Sequence, residues 1–213
     1  MYPDDLGAIS GMIVHTRTQN WFGKKIRSCL SSWGNHDAIL IAITPALQEK
    51  LKLNFTGWAV AEAVAPRFTI TPWDVYCERI MEKKTSVVFL YHPKIKVHHY
   101  DTVISNTINM FLKAPRYDYI AIGIHLFNTI FEMNLTLHCH WTWYCTEAVS
   151  DIYHGVNFGE FDVWHEKGKF LPTPYTTEKR CMSQDLCVLG EIIAKDQPSF
   201  LATYNLQTTV PGQ

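Results

Sequence analysis

Apolar positions along the first half of the chain fall into short runs, several of them alternating or unbroken in the manner of strands. "GMIVHTR" (11–17) reads as a short strand, and "HDAILIAIT" (36–44) as a strand buried on both faces, because its β-rich apolar run is nearly continuous. "FTGWAVAEAV" (55–64) reads as its neighbour, "RFTITP" (67–72) as a short strand leading into a turn, and "TSVVFLYH" (85–92) as a further strand. Helical spacing occurs in "NWFGKKIRSCLSS" (20–32), which gathers Trp21, Phe22, Ile26, Cys29 and Leu30 near one side. Thr71-Pro72-Trp73-Asp74 predicts a helix start with Thr71 as N-cap, Pro72 in the first turn and an acid facing the positive helix end, the helix running to about Glu82. Residues 101–113 and 118–131 predict two helices around the break "KAPRYD", and Cys145 to His154 a shorter one. The segment "LCVLGEII" (186–193) is apolar but of undetermined type. Strands and helices without strict alternation predict an α+β fold.

Composition narrows the class. The chain has 213 residues, 47% hydrophobic and 18% charged, enough for one globular domain over 1–213, with a core at about 11–155 and a tail, 156–213, to which no role is assigned. The formal net charge of -1 provides no global field for nucleic acid or an acidic membrane. Lys24, Lys25 and Arg27 are expected to be a solvated helix face. No stretch is apolar for long enough to span a bilayer, and the acidic start lacks a signal pattern, so a cytoplasmic protein without a transmembrane segment is expected. Six cysteines without a CxxC pair fit reduced thiols better than disulfides.

Three residues stand in chemically awkward places. Alternation in 58–64 puts Glu62 on one face with Trp58, Val60 and Val64, and an unpaired carboxylate buried there costs several kcal/mol, so Glu62 needs a cationic or hydrogen-bonding partner. His36 begins the preceding apolar strand, after Gly34-Asn35, and pairing of the two strands would bring imidazole and carboxylate together. Cys145 opens a predicted helix, where backbone N–H groups and the macrodipole favour thiolate, and the same amides can hold an oxyanion.

"GNHDAILI", "AVAEAVAPRFTITP", "APRYDY" and "WYCTEAVSDIY" come in the order and rough spacing of the circularly permuted NlpC-type papain-like cysteine peptidases, which include stand-alone bacterial forms and lecithin:retinol acyltransferase-like relatives. The chain resembles that family from Gly11 to about Gly155. The resemblance implies a small antiparallel sheet or barrel packed against helices. It also implies Cys145 as nucleophile, His36 as general base and acid, Glu62 as the orienting third member, and Tyr117-Asp118 beside the site. This sequence departs from the pattern in Asn35 for the usual Ser or Thr, Asp37 for a small apolar residue, and Thr146 for Ser. Asn35 and Asp37 are expected to alter the pocket beside the base, and the aromatic insert "HLFNTIFEMNLTLHCH" (125–140) to line a substrate channel.

The expected chemistry is acyl transfer from a peptide, amide or lipid ester through a thioester on Cys145, with Asn35, Tyr117, Asp118, Trp143 and Tyr144 at the substrate. Two alternatives use the same residues: a lipid acyltransferase or thioesterase, and a non-catalytic adaptor binding lipid or peptide in the groove. A metal role for His138, Cys139 and His140 matches no standard zinc spacing, and no metal or cofactor is expected. His15, His92, His98, His99, His125 and His165 have no partner visible in the sequence.

Overall fold

The computed structural model describes residues 2–6, 8–30, 32–83, 85–90, 96–113, 115–118, 123, 142–154, 156, 173, 174, 177 and 188–192. Its strands are β1 (Ile13–Arg17), β2 (His36–Ile43), β3 (Gly57–Val64), β4 (Arg67–Pro72), β5 (Ser86–Leu90), β6 (Arg116–Tyr117), β7 (Thr142–Trp143) and β8 (Val188–Ile192). They form one sheet in the order β7-β6-β4-β3-β2-β1-β5-β8, antiparallel throughout except for the β6–β7 pair. The helices are α1 (Trp21–Leu30), α2 (Pro45–Leu51), α3 (Trp73–Glu82), α4 (Tyr100–Lys113) and α5 (Cys145–Tyr153). The fold is α+β, as the mixed patterning predicts, but its eight-stranded sheet is larger than the small one expected.

Central β2 and β3 carry the heart of the core. Residues Ala38 to Ile41 and Ala59 to Ala61 are fully buried, so both faces of these strands are covered, which is why their apolar runs are so nearly continuous. The register sets Ile39 opposite Ala61, so His36, Ala38 and Leu40 share a face with Glu62 and Val60, while Asp37 leaves β2 on the other face. On the first face Trp73 of α3 packs on Phe89 of β5, with ring centroids 5.8 Å apart. Helix α5, which begins with Cys145, is held to α4 by Asn106, whose Nδ2 donates to Ile152 O at 2.8 Å. At its far end Tyr153 Oη donates to Gly11 O at 2.5 Å.

Several local expectations are corrected. Thr71 is not an N-cap: it pairs with Val60 inside β4, and α3 starts after Pro72 with no side-chain cap, although it ends at Glu82 as the pattern predicts. Trp21 is 77% exposed rather than packed, and Arg27 is buried rather than solvated. The Arg27 guanidinium of α1 turns inward to donate to Thr18 O and to Asn35 Oδ1. Helix α2, with Thr44 Oγ1 capping Leu47 N–H at 3.3 Å, was not foreseen. The "LCVLGEII" segment contains β8, paired with β5. The second helix predicted at 118–131 and the insert 125–140 lie outside the described residues, apart from Asp118 and Gly123.

Candidate active site

Strand pairing assembles the first half of the site. His36 and Glu62 sit diagonally across the β2–β3 ladder on one face, and His36 Nε2 lies 2.9 Å from Glu62 Oε2. Glu62 is 2% exposed, and its second oxygen accepts from Arg79 Nη2 of α3, whose guanidinium lies 4.9 Å from the Tyr76 ring centroid. The carboxyl therefore has two cationic partners where the sequence argued for one. Burial pushes the Glu62 carboxyl up, but the hydrogen bonds and charges of His36 and Arg79 outweigh it and hold the group below the ordinary carboxylate range.

Helix α5 supplies the second half. Cys145 is its first residue and is buried, its sulfur 3.8 Å from Thr146 Oγ1 and near enough to His36 for thiol and imidazole to shift each other's pKa. Burial raises the Cys145 thiol pKa; the charge and hydrogen bond of His36 overcome that and lower it, helped by the backbone N–H of Asp37 and opposed by the Asp37 carboxylate. Burial would lower the pKa of His36, but the thiolate and Glu62 raise it to about 10. These interactions favour the thiolate and the imidazolium over the neutral pair. Cys145, Thr146 and Glu147 contribute the backbone N–H groups of the first helical turn, which lie N-terminal to the first helical bond, Ala148 N–H to Tyr144 O at 2.9 Å. They are positioned to meet negative charge beside the sulfur.

Cys145, His36 and Glu62 line a cavity of about 440 Å³. Of the residues expected at the substrate, Asn35, Tyr117 and Tyr144 line it. Asn35 is fixed there because its Oδ1 accepts from Thr18 N–H at 2.7 Å. Asp118 does not line it: it is buried, with its charge felt by Tyr144 and Glu147. Trp143 forms β7 beside Tyr117, and its side chain lies outside the described residues. Cavity-lining residues that the sequence reading missed include Thr16, Thr18, Arg79 and Lys83.

Also missed was a second imidazole–carboxylate pair. His15 lies opposite Asp37 in the β1–β2 ladder, and His15 Nδ1 is 2.6 Å from Asp37 Oδ1, both groups buried. The signal was the one that marked Glu62: a charged residue inside an apolar strand that must be partnered. Gly34 makes room for this ring, since a Cβ there would stand 2.2 Å from His15 Nε2.

Glu147 lies in the first turn of α5, where it is buried. Burial, reinforced by Asp151 and Asp118, pushes Glu147 up to about 8, so the group is protonated at neutral pH. The folded state then holds a proton that the unfolded chain releases near 4.5, and stability falls as pH rises from there to about 8. Glu147→Gln should therefore stabilise the protein more at alkaline than at acid pH, by on the order of 1–2 kcal/mol in urea unfolding. An equal effect at both pH values would contradict this charge state.

Among the described residues, no group of three or more His, Cys, Asp and Glu side chains is arranged to hold a metal ion, and no helix is long and apolar enough to cross a membrane. His138, Cys139 and His140 lie outside the described residues.

No family model and no curated protein matches the chain. Among solved structures, the chain is similar to the crystal structure of metalloprotein yiiX from Escherichia coli O157:H7, at 16% identity and a TM-score of 0.47, covering 89% of this chain and 92% of that one.

Proposed function

We propose that the protein is a cysteine hydrolase of the permuted papain-like kind, cleaving an amide, peptide or ester bond through a thioester on Cys145. The observation that carries this reading is the meeting of Cys145, His36 and Glu62 at one cavity, with His36 Nε2 2.9 Å from Glu62 Oε2 and the buried thiol within electrostatic reach of the imidazole. In the proposed cycle the Cys145 thiolate attacks the carbonyl carbon and the electron pair moves to its oxygen, which the first-turn amides of α5 hold. Collapse breaks the bond to the leaving group, and His36 hands that group its proton. His36 then takes a proton from water, whose oxygen displaces the sulfur and regenerates the thiolate. Glu62, pinned by Arg79, keeps the imidazole oriented and charged.

Thr16, Thr18, Asn20 and Asn35 give one side of the cavity hydrogen-bonding groups, which favours a polar peptide or amide over a bare acyl chain. A chromogenic amide panel, run beside iodoacetamide labelling, tests the proposal. Turnover that disappears in Cys145→Ala supports it. Wild-type protein whose Cys145 is inert to iodoacetamide contradicts it.

A further inference from the structure

We propose that Asp37 is a positioning residue that fastens both the nucleophile helix and one wall of the cavity to the centre of the sheet. Strand β2 would be satisfied by an apolar residue at this point, as it is by Ile39 and Ile41 on the same face. A carboxylate that is 0% exposed is a cost that only its partners offset. Those partners come from three distant parts of the chain. His15 Nδ1 of β1 lies 2.6 Å from Oδ1, and the hydroxyls of Thr146 and Thr177 donate to Oδ2 at 2.8 Å and 2.9 Å.

Each tie has a separate consequence. Thr146 directly follows Cys145, so its bond to Asp37 fixes the start of α5 against β2. Thr177 is bonded through its backbone N–H to Thr173 O at 3.1 Å, and Thr173 and Pro174 line the cavity. The Thr177 hydroxyl has one proton to donate, and the carboxylate at 2.9 Å outcompetes the Thr173 carbonyl at 3.4 Å. One buried carboxylate thus sets the thiol and the wall in a common frame. Asp37 touches neither substrate nor leaving group through its side chain; it acts through the two threonines.

The kinetic arm of the test rests on Cys145 being the reactive thiol; the exchange arm does not. Two reagents are used on the full chain: iodoacetamide, which needs only the thiolate, and a peptidyl chloromethyl ketone, which must also fill the cavity. Thr177→Val should raise the half-saturating concentration of the chloromethyl ketone about tenfold while changing iodoacetamide alkylation less than about twofold. Thr146→Val should slow both reagents about tenfold. Thr177→Ser and Thr146→Ser, which keep the hydroxyl, should behave as wild type. Hydrogen exchange at the Thr177 amide should accelerate in Thr177→Val even if Cys145 is unreactive. Unaltered exchange overturns the inference. So does accelerated exchange with an unchanged chloromethyl ketone constant, or equal slowing of both reagents in Thr177→Val. Failure of wild-type Cys145 to react, with exchange accelerated as expected, would remove the hydrolase reading and leave the anchoring by Asp37 in place.

Discussion

Cys145→Ala should eliminate covalent labelling by iodoacetamide under mild conditions and lower amide or ester turnover by about a thousandfold or more, leaving only what binding and the helix amides supply. The size of the effect follows from the difference between one activated thiol and ordinary ones. Cys77 of α3 shows the contrast, since burial pushes its thiol up and no imidazole compensates. Mass-spectrometric mapping of the labelled site checks the prediction. Strong labelling at another cysteine in the variant, with turnover retained, would show that the reactive group lies elsewhere.

Glu62→Ala should give the largest loss of stability among the site variants. Removing this carboxylate strands the Arg79 guanidinium and the His36 imidazolium against a buried face, and breaking a buried charge pair in this way costs about 3–5 kcal/mol. The same change should slow alkylation of Cys145 at neutral pH by roughly ten- to a hundredfold, because the imidazolium that stabilises the thiolate loses its own support. Since folding depresses the Glu62 pKa, its contribution is present above the ordinary carboxylate value and is lost as pH falls through the depressed one. Glu62→Ala should therefore destabilise strongly near neutral pH and less in acid. Adding Arg79→Met should recover part of the loss; a double variant as unstable as the sum of the two singles would mean that the pair is not coupled. Urea unfolding at two pH values measures all of these.

The strands that build the site were legible because both β2 and β3 are buried on two faces and so write continuous apolar runs. Glu62 stood out inside one of those runs, and His36 was the neighbour able to answer it. Arg79 was not legible: on a helix an arginine reads as solvent-facing, and only the packing of α3 over β3 brings it to Glu62. Asp37 interrupts the β2 run as Glu62 interrupts β3, and His15 lies directly opposite it once β1 and β2 pair, so the same reasoning applied to Asp37 would have found the second pair. The threonines that complete it, separated from Asp37 by 109 and 140 positions, leave no local pattern. In α1 hydrophobicity misled at two positions, Trp21, which is exposed, and Arg27, which spends its charge on Thr18 and Asn35 inside. Asp118 was expected at the substrate because Tyr117-Asp118 matches the family's Tyr-Asp pair, but only Tyr117 lines the cavity while Asp118 is buried.

The central claim is that His36 ionises Cys145, and the rate of iodoacetamide alkylation against pH tests it most directly. In the wild-type protein the midpoint of reactivity should lie below the ordinary thiol value of 9.0. In His36→Ala the burial of the sulfur and the Asp37 carboxylate act unopposed by the imidazolium, and the midpoint should move above the ordinary thiol value. Profiles with the same midpoint in both proteins would contradict the account.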